Sequence, residues 1–285
     1  MERRSNLAFR LRCSLSRNDF MSKKDAKLYN KEKEYLERKL RMIEKRDRML
    51  TKDRSSDVAV VEEVFDKPTL LTLHYLMKIG VLRNLNGVVS SGKEARIYWG
   101  ERDDGSSVAV KIYLTVTAEF KKRLPYIIGD PRFESVKRGS SNIIKTWAQK
   151  EYRNLMTAYQ AGIPVPRPLA IKRNVLVMEF IGDDGWPAPL LNEVEVKQSD
   201  YKKIISLIDK LYNSANLVHA DLSEYNIFKY GKSLILFDFG SAVDIRHPLS
   251  KEFLIKDLNN INRFFVKRGL KVEPLENLLK KVIRL

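Results

Sequence analysis

One cysteine, Cys13, and three histidines are all that this 285-residue chain offers of the softer metal ligands. A lone cysteine excludes an intrachain disulfide and suits a reducing compartment. The scattered histidines leave no zinc constellation, so a catalytic metal would be hard and carboxylate-bound, as magnesium is. Long hydrophobic runs are missing too: charge interrupts every apolar stretch short of the roughly 18 residues that a membrane span needs. Acids are scarce beside bases, with 53 Lys and Arg against 36 Asp and Glu and a formal charge of +17. Such a surplus favours a polyanionic partner, RNA or a ribonucleoprotein particle, over a membrane, for which no lipidation signal or apolar anchor is visible. A cytoplasmic location is the expectation.

The excess charge is uneven. Residues 1–57 hold 18 Lys and Arg against 10 Asp and Glu. The first twenty residues carry five arginines and two acids, a composition shared by organellar transit peptides and by an extension preceding a true start at Met21. No apolar segment there reads as a secretion signal. Residues 22–50 lack the breakers that end helices and read as a charged, solvated helix with a thin apolar stripe, followed by a linker over 51–57. Residues 1–57 are therefore expected to be a basic extension, partly disordered and then helical.

Beyond it, Asp66 before Pro68 reads as an N-cap, and Leu70, Leu71, Leu73, Leu76, Met77 and Ile79 recur at helical spacing up to a stop at Gly80. Strand-like segments follow at 87–90, 95–99 and 108–113, the last two joined by a turn at Asp103-Asp104-Gly105. A helix is expected over 142–161, a strand over 175–181, a loop over 182–189, and helices over 199–213, 250–269 and 274–284. Strands come first and helices later, without βαβ alternation, which is an α+β pattern. The expected division is an N-terminal lobe over 58–181 and a helical C-terminal lobe over 182–285.

Chemistry concentrates in His219-Ala-Asp221-Leu-Ser-Glu-Tyr-Asn226 and, twelve residues on, Asp238-Phe-Gly240. Phosphoryl transfer from ATP needs a carboxylate near the attacking oxygen and oxygen ligands for the magnesium that bridges the phosphates. Asp221 and Asn226 stand at the spacing of a kinase catalytic loop, and Asp238 follows the apolar run 234–237, so that it would leave a buried strand facing a cleft. Asp221 is the catalytic candidate; Asn226 and Asp238 are the metal candidates. His219 is assigned to bracing the backbone, and Ser223 and Tyr225 to packing or local hydrogen bonding. Val108-Ala-Val-Lys111 matches the strand that delivers a lysine to the phosphates, with Glu151 as its carboxylate partner. Met178 is expected to line the back of an adenine pocket, and Glu179 through Ile181 to form the hinge beside it.

Gly87-Val-Val-Ser-Ser-Gly92-Lys93-Glu94 nearly matches a P-loop but has Glu94 where the magnesium-binding Ser or Thr belongs, and a strand rather than a helix follows. It reads as a nonstandard phosphate loop in which Ser90, Ser91, Gly92 and Lys93 face the triphosphate.

In combination, Ser-Ser-Gly-Lys-Glu-Ala (90–95), Val-Ala-Val-Lys-Ile-Tyr (108–113), Trp-Ala-x-Lys-Glu-x-Arg-Asn-Leu (147–155), Leu-Val-Met-Glu-Phe-Ile-Gly (176–182) and Leu-Val-His-Ala-Asp-Leu-Ser-Glu-Tyr-Asn (217–226) resemble the RIO family of atypical protein kinases. The lead-in at 64–70 and the tail around His247-Pro248 and Phe253–Asp257 are similar to its type-one branch. The resemblance covers about residues 60–270. It implies a two-lobed protein-kinase-like fold with a truncated C-terminal lobe and extra N-terminal helices, acting as an atypical serine/threonine kinase and ATPase. It further implies ATP and Mg2+, with Mn2+ as a substitute, a role in small ribosomal subunit maturation, and Asp238 as an acceptor of phosphate. A mobile loop at 115–140 is also implied.

Ala220 stands where ordinary kinases carry the arginine that reads a phosphorylated activation loop, and no A-P-E motif follows Gly240. The usual switch and peptide platform are therefore not expected; a protein substrate would bind otherwise, and the oligomeric state is open. The alternative reading is a nucleotide-gated RNA- or ribosome-binding scaffold with vestigial catalysis, and a third is a P-loop NTPase dependent on Lys93.

Overall fold

The computed structural model describes residues 65–114, 126–127, 129–133 and 140–284, without side chains at 140–143. The basic extension, its charged helix and linker, and most of the loop expected at 115–140 lie outside the described residues.

Helix α1 (Lys67–Lys78) starts where the sequence places a cap: the Asp66 carboxylate accepts the Thr69 amide at 3.0 Å, and Pro68 sits in the first turn. A five-stranded antiparallel sheet follows in the order β1-β2-β3-β5-β4. Its strands are β1 (Asn84–Ser91), β2 (Ala95–Glu101), β3 (Ser107–Tyr113), β4 (Pro168–Lys172) and β5 (Val175–Glu179). Helix α2 (Ser140–Gln160) joins β3 to β4. Strand β4 was not anticipated, because Pro168 and Lys172 break its apolar pattern at both ends; among the described residues it pairs only with β5, and proline is tolerated on such an edge.

Side chains alternate across the sheet, as strand geometry requires. Val108, Val110 and Ile112 of β3, with Val175 and Val177 of β5, pack under Leu73, Leu76 and Met77 of α1. Ala109 and Tyr113, with Leu176 and Met178, face Trp147, Ala148 and Leu155 of α2. Of the stripe read on α1, Leu73, Leu76 and Met77 are core, Leu70 and Leu71 are partly buried, and Ile79 at its end is half exposed.

Phe180 and Ile181 carry the chain out of the sheet. A small hairpin, β6 (Gly182–Asp183) and β7 (Trp186–Pro187), occupies the expected loop at 182–189. Helix α3 (Gln198–Ala215) is followed by β8 (Leu217–Val218), β9 (Ile227–Tyr230), β10 (Ser233–Leu236) and β11 (Val243–Asp244). These form two short antiparallel pairs, β9 with β10 and β8 with β11. Helices α4 (Ser250–Lys267) and α5 (Leu275–Ile283) complete the helical part, whose core runs continuously into the inner face of the sheet. The architecture is the α+β, kinase-like one expected.

Inside the loop expected to be mobile, Ile127 and Phe133 are buried and Tyr126 stacks on Phe253 of α4 at 5.1 Å between ring centroids. Tyr126 thus finds cover on α4, while the Phe133 ring lies beside Lys150 and Arg153 of α2.

Truncating Leu76 to Ala opens a cavity between α1 and the sheet and should cost about 3 kcal/mol in urea unfolding. Ile79→Ala, at the exposed end of the same stripe, should stay within about 0.5 kcal/mol. Equal losses would contradict the assignment of the α1 face.

Candidate active site

The inner face of β3 carries Lys111 toward α2. There its ammonium meets the Glu151 carboxylate at 2.8 and 2.9 Å and Asp238 Oδ1 at 2.9 Å. The hydroxyl of Tyr113, two residues along the same face, donates to Glu151 Oε2. Burial alone would depress Lys111, but the carboxylates of Asp238 and Glu151 outweigh it and hold the ammonium well above its usual range. Burial also pushes Glu151 up, opposed by Lys111 and reinforced by the charge of Asp238. One cation therefore joins two carboxylates, one from α2 and one from the loop after β10.

These groups line a cavity of about 390 Å3, bounded also by Ser90, Gly92, Lys93, Glu94, Ala95, Ile97, Trp147, Met178 and Phe237. That size suits a small-molecule ligand. Gly92 and Lys93 connect two antiparallel strands, and the Gly92 amide donates to the Ala95 carbonyl at 3.0 Å. This is a hairpin and not the strand-to-helix turn of a P-loop. Two register shifts in β1, between Leu85 and Ser90, bend the strand just before it.

Three expected contributors stand apart. Ser91 is exposed and does not line the cavity, because alternation in β1 turns it away from the face that Ser90 shares. Glu179 and Ile181 are also absent from the wall. The Glu179 amide donates to Arg167 O at 2.9 Å and its side chain accepts from Arg167 N, which tie the end of β5 to the segment before β4. Ile181 O accepts from Ala188 N across the β6–β7 hairpin.

Asp221 and Asn226 lie outside that cavity wall, on the loop between β8 and β9. Asn226 donates its Nδ2 to Asp221 O at 2.8 Å, which leaves Oδ1 as its ligand atom. Its carbonyl accepts from Phe237 N at 3.0 Å, so Asn226 and Asp238 flank the open end of the β9–β10 hairpin. Their oxygen donors, one amide and one carboxylate, fit a hard cation such as Mg2+. His219 is buried, with Nε2 donating to Phe237 O at 3.0 Å and its ring packed on Phe239. Burial lowers its basicity, so it stays neutral and braces the loop. Tyr225, expected to pack or to hydrogen-bond locally, is exposed, and its amide donates to Ser223 Oγ at 3.4 Å.

Several supporting residues escaped the sequence reading. Lys150 and Asn154, one helical turn apart on α2, reach the backbone of the Asp238 loop. Lys150 donates to the carbonyls of Gly240 and Ala242, and Asn154 to those of Phe239 and Ala242 at 2.8 Å each. Burial pulls the Lys150 ammonium down to about 7. Gly240 is required where it stands, since a Cβ there would lie 2.8 Å from Trp147 Nε1. Asp257 of α4, buried, accepts the amides of Ala220 and Leu222 at 2.8 Å each. Ala220 itself is fully buried, which leaves no room for the arginine of ordinary kinases. The i, i+4 spacing of Lys150 and Asn154 was the available signal; for Asp257 there was none beyond its place in the tail motif.

Because His219 is neutral in the fold and its ordinary value is 6.5, the unfolded chain gains a proton below that pH which the folded chain refuses. Stability should therefore fall as the pH drops from about 7 to about 5, and His219→Phe should flatten that slope in urea titrations. An unaltered slope would contradict a buried neutral ring. Asp257→Ala strands two buried amides and should cost about 3 kcal/mol; a loss under about 1 kcal/mol would show that water replaces the carboxylate.

Comparison with known proteins agrees with this geometry. A family model described as the RIO domain matches residues 96–278. The serine/threonine-protein kinase RIO1 of Caenorhabditis elegans is 39% identical over 254 residues, 87% of this chain and 50% of that protein. The RIO-type kinase Rio1 of Haloferax volcanii is 38% identical over 78% of this chain and 77% of its own length. This chain spans about half the length, or less, of the C. elegans and human relatives it matches. Among solved structures, the Rio2 kinase of Chaetomium thermophilum, as an ADP/Mg2+-phosphoaspartate complex, superposes with a TM-score of 0.58 at 23% identity, over 75% of this chain and 66% of that one. With a domain match over most of its length and relatives alike in sequence, the chain belongs to the RIO family of atypical protein kinases, in its type-one branch.

Proposed function

We propose that the chain is an ATP-dependent phosphotransferase, an atypical serine/threonine kinase and ATPase that uses Mg2+ and serves small ribosomal subunit maturation. The observation that carries the catalytic part is the Lys111 ammonium held 2.8–2.9 Å from Glu151 and Asp238 on the wall of a nucleotide-sized cavity. A lysine oriented by one carboxylate and adjoining a second is the arrangement that meets a triphosphate and its metal.

In this reading Lys111 orients the phosphates, the amides near Gly92 and Lys93 cover them, and Met178 backs the base. Asn226 Oδ1 and Asp238 hold the Mg2+, which when bound would neutralise charge between the phosphates. The carboxylate of Asp238 attacks the γ-phosphorus, an O–P bond forms, the bond to the bridging oxygen breaks and ADP leaves. Water then attacks the acyl phosphate, its proton passing to Asp221, and releases inorganic phosphate and free Asp238. A protein hydroxyl in place of water makes the chain a kinase. The phosphoaspartate of the Chaetomium Rio2 complex supports the first step by family likeness. The ribosomal role rests on family resemblance together with the net charge of +17, which suits an RNA-rich particle.

Incubated with γ-labelled MgATP, the chain should acquire label that hydroxylamine removes, as an acyl phosphate requires. Asp238→Ala should abolish both label and phosphate release. Asp221→Asn should slow phosphate release about 1000-fold while label accumulates, because it acts in the second step. Full turnover in Asp238→Ala would overturn the scheme. Binding to small-subunit particles should differ between ATP and ADP; equal affinity in both would remove the ribosomal part alone.

A further inference from the structure

The segment His219–Asn226 contains no lysine or arginine. Yet the carboxylate that takes a nucleophile's proton must be held in one orientation, and charge gathering at a phosphoryl group calls for a nearby cation. Helix α4 supplies what the loop lacks. Lys256 Nζ lies 3.1 Å from Asp221 Oδ1 and 3.4 Å from Ala220 O. The next residue, Asp257, binds the amides of Ala220 and Leu222. Two consecutive side chains of one helix therefore grip the loop, Asp257 through the backbone on either side of Asp221 and Lys256 through the carboxylate between them.

Ala220 adopts φ +66, a left-handed conformation that a non-glycine residue keeps only when its surroundings impose it. The Lys256–Asp221 pair is itself about half exposed, with side-chain accessibilities of 46% and 52%. An ion pair so open to water adds little to folding, so stability gives no account of its presence on this carboxylate.

We propose that Lys256 is a positioning residue for Asp221: its ammonium fixes Oδ1 and leaves Oδ2 as the oxygen that receives the proton. In the hydrolytic step one water proton moves to Oδ2 as the water oxygen bonds to phosphorus and the bond to the Asp238 oxygen breaks. Lys256 gains and loses no proton. This role rests on the reading that the chain cleaves ATP.

The test measures multiple-turnover phosphate release and, separately, MgADP affinity on the full chain. Lys256→Met, with Lys256→Gln as a second variant, should lower kcat about 100-fold and leave MgADP affinity and the melting temperature as in wild type. Lys256→Arg should recover most of the rate, since a cation is restored. Combined with Asp221→Asn, Lys256→Met should add no further loss, because it acts through that carboxylate. Wild-type rates in Lys256→Met, or losses that multiply in the double variant, would overturn the assignment. A wild-type chain that releases no phosphate would overturn the underlying reading and this role with it; active wild type with an unaffected Lys256→Met overturns this role alone.

Discussion

The Lys111 ammonium is the constraint on which the rest of the site depends. Two carboxylates from elements far apart in sequence, Glu151 on α2 and Asp238 after β10, converge on it. Without the cation, Glu151 would be a desolvated carboxylate beside another negative group, an arrangement far too costly to persist in the ionised form. Lys111 thus fixes how α2 lies against the sheet and how close the loop of the helical part comes to both. A group that meets phosphates in the proposed reaction is also the one that aligns the halves of the molecule.

The other polar ties extend this. Lys150 and Asn154 take up the carbonyls of the Asp238 loop, while Asp257 takes up the amides of the Asp221 loop. Both loops carry a left-handed non-glycine residue, Asp238 at φ +61 and Ala220 at φ +66. The Ala220 amide donates to Asp257 of α4, while Asp238 meets Lys111 of β3 and the residues after it are tied to α2. In ordinary kinases an arginine of the Asp221-type loop, at the place of Ala220, reads a phosphorylated segment. Here only residues 239–249 separate Asp238 from α4, and a buried alanine fills the arginine's place. Both loops are braced by side chains of α2 and α4.

Much of this was readable from residue order. The pairing of Lys111 with Glu151 followed from a strand-borne lysine and a helix-borne acid, and α1 announced itself through Asp66, Pro68 and a periodic stripe. What escaped reading depends on tertiary approach. Strand β10 showed in its apolar run, but its partner β9 and the pair β8–β11 contain too few residues to show a period, and β4 is masked by its proline. The contact of Lys256 with Asp221 spans 35 residues and involves a lysine on an otherwise ordinary amphipathic helix. Ser91 and Glu179 lie outside the cavity wall, and motif position does not reveal which way a bulged strand or a strand end turns.

The organising role of Lys111 is tested most directly by a double-mutant cycle on folding stability, measured by urea unfolding of the nucleotide-free chain. Lys111→Met should destabilise it by about 3 kcal/mol, the cost of leaving a buried acid without its counter-charge. Adding Glu151→Gln removes that charge and should return at least half of the loss. Losses that simply add in the double variant would show that the two residues do not depend on one another, and would contradict the account.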